Sequence, residues 1–483
     1  MLRGAALALA LALFACSDPG GAGPGDQRPG PGRDAAPAPG EDGPRPDRSV
    51  PAADSGPAPT SDGPSSGPDQ AADAPSPPPP LLIDGGPAPA PVDGAIGPAG
   101  PLFEYVKGGT EYDIGRDVIE AHGGYLVVGY TFSFVTIPAF SNSDAYVIRL
   151  DKSGKEQWTS FFGGANGESL HAVQPTAGGG YLACGYQDQP TVGGGSKAVG
   201  YLVALDSQGQ PGKSTLLPAA QDELICEDLA PTSDGSFVLT GVSGMKLGVN
   251  GGDLLLAKVS PTGTVLWQKT LGGASLDWGA RVREAPDKGL LAVGWTRSFA
   301  PGMRDAYVVK TDAAGALLWQ KTFGGPGAQD DLARSVRPTS DGGWIIVGTL
   351  DYLEDYTAWT FHGSAWVLKL DAQGNKSWET VIPPTGNNTI DRGEDIFERP
   401  DKTFVVLLTR GYDPSGMLEQ GHIGLVQLSA AGTVLGSTTL ASQGYDYAHR
   451  AVFTSDGRTL LVGATQSKGA GGDDVYVRKL SFP

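Results

Sequence analysis

Beyond residue 101 the apolar residues come in short continuous runs, each closed by a glycine. Tyr125-Leu126-Val127-Val128-Gly129, Trp344-Ile345-Ile346-Val347-Gly348 and Leu460-Leu461-Val462-Gly463 are three of them. The closing glycines are Gly129, Gly185, Gly241, Gly294, Gly348 and Gly463, with Leu408 in the sixth place, at a spacing of roughly 55 residues. An apolar run without alternation predicts a strand covered on both faces. A second marker, Asp-x-x-Gly, recurs at Asp151/Gly154, Asp206/Gly209, Asp312/Gly315 and Asp371/Gly374, with Ser260/Gly263 and Ser429/Gly432 as variants. It predicts tight turns between paired strands. No helical period competes with this pattern.

Each period holds four strand-like segments. In one of them Ala333–Pro338 is short and mixed, 344–348 is the apolar run, 365–370 is β-rich, and 377–381 carries a tryptophan. Seven such units predict an all-β fold, a seven-bladed β-propeller of four-stranded blades, over residues 102–483.

The fourth segment is the most repetitive. Leu318-Trp319-Gln320-Lys321-Thr322-Phe323-Gly324-Gly325 recurs as Leu266-Trp267-Gln268-Lys269-Thr270-Leu271-Gly272-Gly273 and, loosely, around Trp158. With the preceding Asp312-Ala313-Ala314-Gly315, it resembles the tryptophan-docking motif of PQQ-type propellers. Asp341-Gly342-Gly343-Trp344-Ile345-Ile346-Val347-Gly348 resembles the repeats of bacterial lipoproteins of the delta-60 kind. The resemblance implies that Trp158, Trp267, Trp319 and Trp378 lie on outermost strands and wedge against the next blade. Lys213 and Gly436 stand in that position in two other units, where looser junctions are expected. It also implies that 103–107 is an outermost strand that completes the last unit, whose own sequence stops one strand short.

This phase sorts the loops. Tight turns share one face; the longer connections Thr131–Ser143, Gln187–Val199 and Leu350–Ser364 share the other. The first carries Phe132, Phe134 and Phe140, and the last carries Tyr352, Tyr356, Trp359 and Phe361. Aromatics on loops over a rigid scaffold are candidate binding residues, with packing onto their own blades as the other reading. An acid precedes the innermost strand of each unit: Asp113, Glu168, Asp222 or Glu223, Asp277, Asp331, Asp391 and Asp446. They read as turn acceptors for backbone N–H groups, or as an acidic ring able to hold a cation such as Ca²⁺. Arg116, Arg281, Arg334 and Arg450 follow on the same strands and could pair with those acids.

The N-terminus has a different composition. Arg3 and the apolar stretch 5–14 form an export signal, residues 1–15, too short to span a membrane. Leu13-Phe14-Ala15-Cys16 resembles the lipobox of bacterial lipoproteins, which implies cleavage before Cys16 and acylation of its thiol and amine. Several acyl chains hold a protein stably on a membrane where one does not. Ser17 after the cysteine matches the pattern for outer-membrane delivery. Residues 16–101 are Pro, Gly, Ala, Ser and Asp with few large apolar residues, a disordered linker that would act as a tether. As a coil it would span roughly 50 Å. The chain would leave the propeller on its tight-turn side, with the longer loops pointing away from the membrane.

The net charge of −18 excludes a nucleic-acid partner, which demands clustered Lys and Arg. Cys184 and Cys226 read as two buried thiols, with a bridge between neighbouring repeats as the other reading. There is no Cys-x-x-Cys pair, no metal-binding histidine motif and no nucleophile motif, and no cofactor is expected. The expectation is a monomeric, lipid-anchored, non-enzymatic envelope protein binding or scaffolding an envelope or extracellular protein or glycan. A quinoprotein-like oxidoreductase and an outer-membrane assembly factor are the alternatives.

Overall fold

The structure is a computed structural model and describes residues 101–481, apart from 136–141, 192–194, 218–222, 246–250, 301–302, 326–328, 356, 413–420 and 441. Cys16, the linker, Phe140, Asp222 and Tyr356 lie outside the described residues. The described residues contain strands and turns, with no helix among them.

Strand β1 is Pro101–Lys107. It is followed by β2 (Asp113–Ala121), β3 (Gly124–Thr131), β4 (Asp144–Asp151) and β5 (Glu156–Phe162). Next come β6 (Glu168–Pro175), β7 (Tyr181–Pro190), β8 (Ser196–Leu205) and β9 (Pro211–Leu216). The third group is β10 (Glu223–Pro231), β11 (Phe237–Met245), β12 (Asp253–Val259) and β13 (Val265–Leu271). The fourth is β14 (Asp277–Glu284), β15 (Leu290–Thr296), β16 (Asp305–Thr311) and β17 (Leu317–Phe323). Then follow β18 (Asp330–Pro338), β19 (Trp344–Asp355), β20 (Thr360–Leu370) and β21 (Lys376–Ile382), and β22 (Ile390–Glu398), β23 (Phe404–Tyr412), β24 (His422–Leu428) and β25 (Val434–Leu440). The chain ends with β26 (Asp446–Phe453), β27 (Thr459–Thr465) and β28 (Asp474–Leu480).

Each group is an antiparallel meander. The groups starting at β18 and β22 join into one eight-stranded sheet through a single parallel bridge, Gly363 to Ile390. The last sheet runs β26-β27-β28-β1, so the N-terminal strand supplies its outer edge. Phe103 pairs with Lys479 and Lys107 with Val475. The first strands of successive groups lie beside one another, and β26 lies beside β2.

The repeat glycine has a steric cause. Every inner strand carries a β-bulge just after the residue that faces this position, at Arg116, His171, Glu227, Ala280, Arg334, Glu394 and His449. The bulge pushes a carbonyl over the neighbouring strand. A Cβ at Gly348 would overlap the carbonyl oxygen of Leu332, and one at Gly129 that of Ile114. A side chain has no room for that approach at these positions; the sixth unit instead sets Leu408 opposite Gly393.

The docking tryptophans meet the tight turns of the next sheet. Trp158 lies on Gly209, Trp267 on Gly315, Trp319 on Gly374 and Trp378 on Gly432, each a left-handed turn glycine. A Cβ on any of these glycines would run into the ring. Phe103 on β1 does the same against Gly154, so a phenylalanine holds the last sheet to the first. The tryptophan rings are half-buried rather than sealed. Lys213 reaches the Thr264 hydroxyl, at 3.2 Å. That junction has a covalent tie instead. Cys184 on β7 and Cys226 on β10 form a disulfide, with Cα atoms 6.0 Å apart, correcting the reading of two free thiols.

Candidate functional site

Two of the long connections are hairpins rather than irregular loops. β19 and β20 continue their pairing out to Asp355 and Thr360, and β7 and β8 to Pro190 and Ser196. Their aromatics divide. Tyr352 and Phe361 are 3% and 1% exposed and join Tyr186, Trp278 and Trp295 in an apolar cluster drawn from five successive sheets. Trp278 and Trp295 stack within it, 9° from parallel. Tyr352 and Phe361 are therefore packing residues, a correction to their place among the binding candidates. Phe132 packs edge-on to Tyr130. Trp359 and Phe134 stay 51% and 39% exposed. Phe299 and Met303 are exposed on the equivalent connection between β15 and β16, which sequence reasoning missed. Its signal was the repeated Thr-x-Ser-Phe of 131–134 and 296–299.

The acids before the inner strands lock their own loops. Asp113 accepts from Gly109 N at 2.8 Å and from the hydroxyls of Thr131 and Ser133. Asp277 does the same with Gly273 N, Thr296 and Ser298, and Asp446 with Thr465 and Ser467. Asp331 takes the amides of Gly325 and Asp351. Asp391 takes the amide of Gly411. Glu168 accepts from Gln187. Among the described residues no three His, Cys, Asp or Glu side chains come together to hold a metal. The acidic ring is thus a set of separate loop clasps, and the metal reading of these residues is corrected.

Arg116, His171, Glu227, Arg334, Glu394 and His449 occupy the bulge position of their inner strands. Immediately beyond them come Asp117, Asp228, Arg281, Asp395 and Arg450. These charges pair with one another rather than with the loop acids, as the sequence had suggested they would. Arg450 on β26 reaches across the centre to Asp228 on β10 at 2.7 Å, and to Asp117 at 3.3 Å. Arg337 pairs with Asp395 at 2.8 Å, Arg283 with Asp228, and Arg392 with Glu394 at 3.2 Å. Glu227 meets both Arg116 and His171, at 3.3 and 3.2 Å. Asp117, Asp228 and Asp395 also accept from Val173, Val282 and Ala451 N of the next sheet. Although burial opposes their ionisation, the facing arginines hold Asp228 and Asp395 well below the usual carboxylate range.

Between the loop clasps and the final turn, the inner strands carry seven arginines (116, 281, 283, 334, 337, 392, 450) and eight carboxylates (117, 120, 227, 228, 284, 394, 395, 398). Arg281 donates to the carbonyl of Ala280, and Asp228 and Asp395 attract it electrostatically. Burial, and then the neighbouring Arg450, lower it to about 10. Burial, followed by Arg116, Arg392, Arg281 and Arg334, drives His449 well below the usual histidine range. An aromatic series leads towards this centre. Ring centres step from Tyr412 to Tyr445 at 6.0 Å, to Tyr447 at 5.5 Å and to His449 at 5.2 Å.

No family model matches the chain, and no curated protein matches it. Solved structures do resemble it. A periplasmic gluconolactonase of Pseudomonas aeruginosa is 14% identical over 74% of this chain and 99% of its own, with a TM-score of 0.44. A polysaccharide lyase is 12% identical over 76% of this chain and 90% of its own, at 0.46. A WD40 domain of Neurospora crassa is 11% identical over 76% of this chain and 89% of its own, at 0.46. The neighbours are propeller-like, in keeping with the repeated four-stranded sheets of this all-β chain. The gluconolactonase and the lyase are enzymes, which corrects the expectation of a non-enzymatic protein.

Proposed function

We propose that this chain is an exported, lipid-anchored protein of the cell envelope. In this reading acylated Cys16 and the 16–101 tether carry a seven-bladed β-propeller that binds an envelope or extracellular protein or glycan. The observation that carries the binding reading is the placement of exposed large apolar side chains. Of the exposed large apolar side chains, Phe134, Phe299, Met303 and Trp359 stand on connections between second and third strands, and the other seven stand on outermost strands. Side chains of this kind are over-represented among contact residues, and water solvates them poorly. The Cys184–Cys226 disulfide supports export, since such bonds persist in oxidising compartments.

Two measurements test the reading. Expression of the full chain with a labelled fatty acid should place label on the wild type and none on Cys16→Ala; label on neither removes the anchor. Capture of envelope components by the full chain should weaken in Trp359→Ala/Phe299→Ala. Equal capture by both removes the aromatic face.

A further inference from the structure

We infer that the pocket between the β22–β25 group and the last sheet is a binding site for a free α-amino acid with an aliphatic side chain. Arg478 and Lys468 would take its carboxylate, and Asp446 its ammonium group. This site is separate from Phe134, Phe299, Met303 and Trp359, and its failure would leave the reading built on them untouched.

The first ground is a break in the repeat. On each third strand one position pairs with the residue two before the repeat glycine or its Leu408 counterpart. It is filled by Ile148, Val203, Ala257, Val309, Leu368 and Val426. All of these are aliphatic and buried. In the last sheet the same position, opposite Leu461, holds Arg478. Its Nη1 meets Glu104 Oε1 and the Tyr476 hydroxyl, each at 3.2 Å. Its Nε is buried and has no hydrogen-bond partner among the described residues. A buried donor left unused is costly in a purely structural role, and the aliphatic residue of the other units would avoid that cost.

The second ground is room. No tryptophan fills this junction: β25 carries Gly436 in that position, followed by Ser437, Thr438 and Thr439, all small. A pocket of about 320 Å³ lies here, lined by Arg478 together with Lys468 and Asp446. Its size is at the lower end of the range for small-molecule sites. Ile423, Leu440 and the Tyr476 ring give it apolar surface. Lys468 and Gln443 are exposed and stand at its mouth.

The third ground is the arrangement of charge. Lys468 and Arg478 both pair with Glu104 on the outer strand β1, so two cations share one carboxylate there. Asp446 opens the innermost strand β26. Its Oδ1 takes the hydroxyls of Thr465 and Ser467. The groups lining the pocket are thus two cations and one carboxylate, and Glu104 beside them supplies a second carboxylate. A pocket balanced in this way, with cations against the outer strand and a carboxylate at the inner one, suits a zwitterion better than a net anion or a net cation. A ligand carboxylate on Arg478 would make the charge-assisted hydrogen bonds that a guanidinium fork favours. An aliphatic side chain would leave water for the surface of Ile423 and Leu440.

The experiment is calorimetric titration of the full chain with L-leucine. The other arms are 4-methylpentanoate (no ammonium group), 3-methylbutylamine (no carboxylate) and glycine (no side chain). The expected result is saturable binding of L-leucine, with each other arm at least tenfold weaker. Arg478→Val restores the aliphatic residue of the other units, so it should melt no lower than the wild type while binding L-leucine at least tenfold more weakly. Lys468→Met, at an exposed position, should weaken binding tenfold as well, and it decides the matter if melting curves show that Arg478→Val does not fold. No binding of L-leucine, equal affinity for any other arm, or wild-type affinity in the folded variants overturns the proposal. A lowered melting temperature of Arg478→Val with unchanged affinity also overturns it, and assigns the arginine to holding β1 in place.

Discussion

Cys184 on β7 is bonded to Cys226 on β10, across the junction where Lys213 takes the tryptophan position. Five other junctions are pinned by a ring lying on a turn glycine. Here a covalent bond, 42 residues apart in sequence, does that work. Closing such a loop restricts the unfolded chain by about 4 kcal/mol in the chain-entropy treatment. Cys184→Ala/Cys226→Ala should therefore melt well below the wild type in a thermal scan. Adding Lys213→Trp should recover part of the loss. An unchanged melting temperature in the double variant would show that the bridge carries no load.

Gly374 tests the wedge from the glycine side. Its left-handed backbone and the Trp319 ring above it both exclude a side chain. Gly374→Ala is expected to cost about 1–2 kcal/mol from the backbone alone, and more from displacing the ring. Trp319→Ala should cost about 2 kcal/mol, below the ~3–5 kcal/mol of a fully buried tryptophan, because the ring is half-buried. Urea titration of the two variants and the double variant checks both values. The effects should be less than additive because they remove one contact.

The carboxylates near β6 and β10 give a stability that falls with rising pH. Burial, with Asp144 and Asp188 adding to it, pushes Glu168 up to about 7. Burial and Asp188 push Glu223 up to about 7. The folded protein thus binds these protons more tightly than the unfolded chain, whose glutamates titrate near 4.5. Stability from this source is full below that value and is lost as pH rises through about 7. Asp228 and Asp395 have the opposite sign: with folded values well below the ordinary one, their stabilisation is present above pH ~4 and lost in acid. Melting temperature should be higher at pH 6 than at pH 8. Glu168→Gln/Glu223→Gln should flatten that difference, and a slope equal to wild type would count against it.

The outer edge of the last sheet depends on β1. Tyr105 and Lys107 also reach Glu156 on β5, at 2.6 and 2.8 Å, and Glu120 near the end of β2 takes both groups of Ser455. Replacing 101–107 by a Gly-Ser segment of equal length should free the edge of β28 for pairing with another chain. Size-exclusion chromatography should then show oligomers or aggregate. A monomer with wild-type melting would mean that β1 is dispensable.

The repeat was legible in the sequence because each unit must build its own turns and its own covered strand. Gly348, Gly374 and Trp319 answer to partners supplied at fixed spacing by the same repeat, so their recurrence is visible without a structure. The all-β character and the pairing of β1 with β28 follow from that phase. Other features needed distant partners. Arg450 and Asp228 are 222 residues apart, and nothing local marks them as a pair. The acids of the inner strands look alike in sequence, yet Asp113 clasps a loop while Asp117 spans to the next sheet; one step along a bulged strand decides between them. Tyr352 and Trp359 share one hairpin, and only the convergence of five sheets buries the first and leaves the second in water. By itself the sequence determined the unit and its strand order, since periodic spacing of glycine and apolar runs suffices for that. Tertiary structure decided which charges meet, which aromatics are covered and where the two cysteines join, because burial and charge pairing depend on chain segments that only folding brings together.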